Sequence, residues 1–196
     1  MKSKQSKFTL IIAFFFLIIG AFAQTDSSGI YKTSADFKDG KLSYAINYKK
    51  EKHSINDEVL FNASEIKVKH MGTSYSLKKS ETYGYRDTKG IDYRFVDNNL
   101  YKILSKGNGL MLYSVQTPAQ EAAKGPVKYT TVYYFTKDIT SPPQLLTKEN
   151  LKAAYPDNHK FHDALDATFK DDKYLSEYDS FHKMYKVNHI LEMNAM

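Results

Sequence analysis

Tyr83-Gly84-Tyr85-Arg86-Asp87-Thr88-Lys89-Gly90-Ile91-Asp92-Tyr93-Arg94-Phe95 decides the fold. Two short alternating runs flank a turn signal, the pattern of a β-hairpin, and two registers compete for it. A three-residue loop, Thr88-Lys89-Gly90, puts Gly90 at the left-handed position of a type I turn with a G1 bulge. That register sets Arg86 opposite Asp92, Tyr85 opposite Tyr93 and Tyr83 opposite Phe95. One face then carries four aromatic rings and the other Gly84, Arg86, Asp92 and Arg94. A two-residue loop, Thr88-Lys89, demands positive φ from residues that resist it and mixes the faces. The first register is preferred.

The same texture continues on both sides. Leu42 to Tyr48, Ile66 to His70, Tyr75 to Leu77, Glu81 to Arg86, Ile91 to Val96, Leu100 to Leu104, Leu110 to Thr117 and Val127 to Lys137 read as strands. Turn signals separate them at Met71-Gly72, Asp97-Asn98-Asn99 and Lys106-Gly107-Asn108-Gly109. Connections this short favour antiparallel neighbours over crossover helices. Pro118 to Pro126 is a longer loop. Ahead of the strands, Thr33 to Phe37 suggests a helical turn capped by Ser34. Beyond Pro142-Pro143 the period becomes helical: Thr147 caps Lys148 to Tyr155, Asp157 caps Asn158 to Phe169, and a last helix runs from about Lys173 to Glu192. The expected class is α+β: a curved antiparallel sheet or partly open barrel of about seven to eight strands, followed by two or three C-terminal helices. The β-rich part covers about 41–138 and the helical part about 144–192.

Three constellations bear on chemistry. The polar hairpin face is either a cross-strand ion pair, Arg86 with Asp92, with Arg94 held by another carboxylate, or an arginine pocket for an anionic ligand built from Arg86, Asp92 and Arg94. Tyr129, Tyr133 and Tyr134 include both strand parities, so Tyr133 or Tyr134 points off the inner face and offers a binding surface. His159, His162, Asp163 and Asp166 share one face of a helix and are ligand types suited to a divalent cation. Against that reading, Phe161, Ala164, Leu165 and Thr168 mark the opposite side as core-facing, so the His/Asp face looks outward and His–Asp pairs at i, i+4 explain it without metal. On the last helix, His182 and His189 are expected two turns, roughly 10 Å, apart, too far to share an ion. No Gly-x-Ser-x-Gly elbow, His-Glu-x-x-His, phosphate loop or dinucleotide fingerprint occurs, and no cofactor is expected.

Composition restricts the partners. Lys2, Lys4 and Lys7 precede an apolar run from Phe8 that ends at Ala21-Phe22-Ala23, the form of a signal peptide cut before Gln24. Phe8 to Ala23 is 16 residues, short of the roughly 20 a spanning helix needs, so no stable membrane insertion is expected after cleavage. The chain has no cysteine and therefore no lipobox, disulfide or thiolate site. The remaining 173 of 196 residues suit one soluble domain. Net charge falls from +6 to +3 with the three signal lysines, and of 28 basic residues only Arg86 and Arg94 are arginine. Nucleic acid is not an expected partner, because lysine lacks the bidentate fork that reads phosphates and bases.

The Ala-Phe-Ala-Gln cut, the sixteen tyrosines without tryptophan, Gly29-Ile30-Tyr31 and the hairpin phrases Tyr83 to Asp87 and Asp92 to Phe95 resemble small exported proteins of Bacteroidota. The likeness implies an envelope or periplasmic setting and carries over no active-site residues. The expected function is an exported, noncatalytic binding or interaction domain for an envelope component or small ligand. The alternatives are a metal-assisted hydrolase using the His/Asp helix face and a structural envelope protein. Expressed in a bacterium, the chain should give an exported product beginning at Gln24; N-terminal sequencing that reads Met1 instead would make the segment an anchor.

Overall fold

The structure is a computed structural model that describes residues 27–47, 49–52, 54–56, 63–107, 109–118 and 128–194. The expected signal segment, 1–23, and most of the 118–126 loop lie outside the described residues. The fold is α+β. Eight antiparallel strands form one open sheet with spatial order β11-β10-β9-β8-β7-β6-β1-β2, not a closed barrel. They are β1 Ser27–Tyr31, β2 Ser43–Asn47, β6 Gly84–Arg86, β7 Asp92–Val96, β8 Asn99–Gly107, β9 Leu110–Pro118, β10 Tyr129–Thr136 and β11 Gln144–Leu145. From β6 to β11 each strand pairs with its sequence neighbour, as the short links from β6 through β9 require. The strands β3 Ser54–Asn56, β4 Glu65–His70 and β5 Thr73–Lys78 form a separate small sheet.

The hairpin has the preferred register. Arg86 pairs with Asp92, Tyr85 with Tyr93 and Gly84 with Arg94, and Gly90 adopts φ +75° where a side chain would be strained. Tyr83 departs from expectation. Its carbonyl accepts from Phe95 N at 2.8 Å, yet its ring stacks on Phe37 at 5.0 Å, on the opposite face from Phe95. The cause is Gly84, where a Cβ would overlap the Tyr93 carbonyl. The backbone there is turned out of the regular pleat, and the alternation breaks one residue earlier. The strand expected over Glu81 to Arg86 is accordingly shortened to β6, behind a 3-10 turn at Lys79–Glu81.

Period-2 alternation gives the sheet two apolar faces. The first carries Ile30, Tyr85 and Phe95 at one end, covered by Ile66 and Val68 of the small sheet. At its other end Leu110, Leu112 and Phe135 are covered by the C-terminal helices α2 Lys148–Ala154, α3 His159–Thr168 and α4 Lys186–Met193, through Leu151, Phe161, Leu165, Val187 and Leu191. The second face carries Tyr31, Ile103, Met111 and Tyr113 under Phe37 of α1, Ser34–Lys38. The cap of α1 is Thr33 rather than Ser34: Asp36 N donates to Thr33 Oγ1 and Thr33 N to the Asp36 carboxylate, a capping box. Asn158 rather than Asp157 caps α3, by accepting from Phe161 N.

The single last helix expected from Lys173 to Glu192 is not formed. A 3-10 turn, Asp172–Tyr174, leads into a hairpin of β12 Tyr178–Asp179 and β13 Met184–Tyr185, and only then does α4 begin. Asp179 explains the break. Its Oδ1 accepts from Phe181 N and His182 N, an Asx turn that takes those amides away from a helix, and Lys183 closes the turn at φ 54°. Tyr174, Tyr178, Phe181 and Tyr185, which would share one stripe of a continuous helix, are therefore not aligned, and Phe181 is 85% exposed. Gly84→Ala should lower stability by about 2 kcal/mol or more, because the added methyl meets backbone that cannot yield; an unchanged urea midpoint would contradict this account of the hairpin.

Candidate functional site

On the second face, Asp92 is only 7% exposed. Arg86 donates to it twice, Nε to Oδ1 at 2.8 Å and a terminal nitrogen to Oδ2 at 3.0 Å. Tyr31 Oη donates to Oδ1 at 2.9 Å, and Lys106 Nζ lies 2.7 Å from Oδ2. Burial pushes the Asp92 carboxyl upward, but the hydrogen bonds from Arg86 and Lys106 outweigh it and hold the group below its usual range. Burial, reinforced by the Asp92 charge, pushes the Tyr31 hydroxyl well above its usual value, so it remains a donor. Arg86 and Asp92 thus form the ion pair, with each other as partners.

Arg94, 5% exposed, is not held by a carboxylate directly. It donates to the carbonyls of Thr140 at 2.9 Å and Ser141 at 3.0 Å and to Tyr113 Oη at 3.2 Å. The carboxylate sits one peptide away. Asp138 Oδ1 accepts from Thr140 N and Ser141 N, both at 2.7 Å, and Oδ2 accepts from Ser141 Oγ. Those bonds hold its carboxyl well below the usual range. The Thr140–Ser141 peptide unit receives Asp138 on its N–H and offers its C=O to Arg94, so its dipole links the two charges. A cleft of about 440 Å3 beside this anchor is lined by Lys32, Tyr83, Arg94 and Thr140, but the guanidinium is already committed to the 138–141 loop.

The other expected site residues are scattered. Tyr133 packs toward the C-terminal helices and Tyr134 edges Tyr101 at 5.3 Å on the second face, so the two rings serve opposite faces. On α3, His162 Nε2 donates to the Tyr155 carbonyl at 2.9 Å, while Asp166 pairs with Lys152 at 2.5 Å and Lys148 at 3.6 Å rather than with a histidine. His159 and Asp163 are exposed. Among the described residues no three His, Cys, Asp or Glu side chains gather as metal ligands do. The α4 break also overturns the expected histidine spacing: His182 and His189 stack with centroids 4.0 Å apart, and His182 Nδ1 meets Asp179 Oδ2 at 2.8 Å, which holds the Asp179 carboxyl down to about 2.

The structure supplies a feature that the sequence did not announce. On the first face a transverse row runs Tyr85, Tyr93, Lys102, Ser114, Tyr133 across β6 to β10. At Lys102↔Ser114 the β8–β9 ladder stops, although β8 continues as Asn99–Tyr101 and β9 as Val115–Pro118. Among the described residues, the overhanging part of β8 is paired by β7 alone and that of β9 by β10 alone. Between them opens a groove of about 570 Å3, lined by Tyr93, Asn99, Leu100, Lys102, Ser114 and Gln116 among others. No local motif signals it, because it depends on where pairing ends between strands whose own patterns are unbroken.

Asp92→Asn should cost about 3 kcal/mol at neutral pH by leaving the Arg86 and Lys106 charges without their anion. The folded carboxyl is depressed, so its contribution is complete above the unfolded pKa and disappears as pH falls through the folded value, below about pH 4. Urea midpoints should converge between wild type and variant in that acid window; a constant difference from pH 7 to pH 3 would remove Asp92 as the titrating anchor. Comparison of the chain with protein-family models, curated proteins and solved structures returns no significant match, so the groove and the polar anchors stand on their own geometry.

Proposed function

We propose that the chain is exported and that its mature domain is a noncatalytic interaction module, which holds an envelope partner in the groove between β8 and β9. The observation that carries this reading is the interrupted ladder: two strands run on past Lys102↔Ser114 with a groove between them. Facing strand edges are sticky surfaces that a purely structural protein would cover or pair. The strongest polar constellations serve the fold instead, with Asp92 saturated by Arg86, Lys106 and Tyr31, and Arg94 tied to the 138–141 loop. Export rests on the residue 1–23 segment, and the resemblance to exported Bacteroidota proteins supports an envelope or periplasmic setting.

A photo-crosslinking side chain placed at Asn99, in the groove, should give defined adducts with an envelope component in cells. The same group at Asp163, on the outward face of α3, should not. Gln116→Trp fills the groove from an exposed position and should abolish the Asn99 adducts without moving the melting temperature. Equal adduct yields from Asn99 and Asp163, or adducts indifferent to the tryptophan, would overturn the reading.

A further inference from the structure

Resting on the groove assigned above, we infer that its occupant is an extended polypeptide segment carrying an acidic side chain. Two observations identify that chemistry. The first is the pair of free strand edges. Val115–Pro118 of β9 has β10 on one side and no ladder partner among the described residues on the other, and Asn99–Tyr101 of β8 faces it, braced by β7. Four residues of β9 present about 14 Å of edge at the strand repeat. Alternating N–H and C=O groups at that spacing match another peptide backbone, the basis of recognition by strand addition. A sugar or a lipid chain has no such repeat.

The second observation is charge. Lys102 is the one charged residue among the described residues that line the groove. It stands where the ladder stops, beside Tyr93 and opposite Ser114, and makes no ion pair with a described residue. Lys102 is paired on both sides and so stands at the closed end of the two open edges, where seating a neutral segment strips water from its ammonium. A carboxylate on the incoming segment removes that penalty, so the residue at the closed end selects the guest. Asn99 and Gln116 at the rim suit polar flanking side chains.

The probe is an acetylated, amidated hexapeptide, Thr-Val-Thr-Glu-Thr-Val, titrated into the mature chain by fluorescence anisotropy. It should bind saturably. N-methylation of alternate residues, which removes donors without altering side chains, should weaken it at least about tenfold. Replacing its Glu by Gln should weaken it about fivefold. Lys102→Gln should erase the Glu/Gln difference while leaving the thermal melt unchanged, which a structural role for Lys102 would not allow. Equal binding of the N-methylated peptide overturns the strand addition, and a Glu/Gln difference that survives Lys102→Gln overturns the charge selection. If no peptide binds while the Asn99 adducts persist and glycan fragments compete for them, the groove reading stands and this inference falls.

Discussion

The buried carboxylate of Asp92 is the constraint around which the sheet is organised. A charge this deep is tolerated only when donors surround it, and the donors come from three other strands: Tyr31 from β1, Arg86 from β6 and Lys106 from β8. The cluster therefore fixes register as well as satisfying charge. A one-residue slip of β6 against β7 would carry Arg86 away from Asp92 and at the same time turn Tyr85 and Tyr93 out of their stack at 4.8 Å on the other face. Ion pair and aromatic pair are two consequences of one alignment. Lys106 extends it to β8, where its ammonium also lies 4.4 Å from the Phe37 ring, so the placement of α1 depends on the same anchor.

Arg94 solves a related problem by another route. Its charge is as deeply buried as that of Asp92, but its acceptors are neutral, and the matching anion is reached through a peptide dipole from Asp138 at the surface. This arrangement keeps the carboxylate hydrated while its influence extends inward, avoiding the desolvation of a second buried ion. It also pins the 138–141 loop across the second face of the sheet, where Ile139 joins Tyr31, Phe37 and Tyr113. The two arginines are therefore anchors at different radii, one closing the sheet laterally and the other securing what lies over it.

What could be read in the sequence follows the range of the interactions. The hairpin pairs from Gly84 to Arg94 were legible because Gly90 and the alternation around it are local, and α2 and α3 were legible because their period lies within each segment, although the α3 cap fell one residue later, at Asn158. Strand β1 was missed: Ser27-Ser28-Gly29 reads as polar leader, and only pairing with β6 and β2 buries Ser28 fully. Tyr83 was placed on the wrong face because strict alternation does not foresee that Gly84 lies against its partner's carbonyl. The last helix failed where Asp179 redirected two amides. The polar site was half legible, since the Arg86–Asp92 pair is a contact between neighbours in one hairpin, whereas the acceptors of Arg94 lie 46 and 47 residues away.

The split between β8 and β9 is stable for reasons that the same contacts supply. Each overhanging strand is braced from behind, β8 by the β7 ladder through Val96↔Asn99 and β9 by the β10 ladder out to Pro118↔Tyr129. Tyr101 turns to the second face and edges both Tyr113 and Tyr134, joining β8 to β9 and β10 beneath the opening. The edges therefore stay extended without each other, and a guest segment would find them in position, with little further ordering of the host to offset. The covers on the first face leave the same place open. Helices shield the apolar end around Leu112 and Phe135, the small sheet shields Ile30 and Phe95, and Tyr93, Lys102 and Ser114 form the row between them, with Tyr93 packed against the small-sheet cluster and Ser114 buried. The ladder between β8 and β9 thus ends between the two roofed parts of the first face.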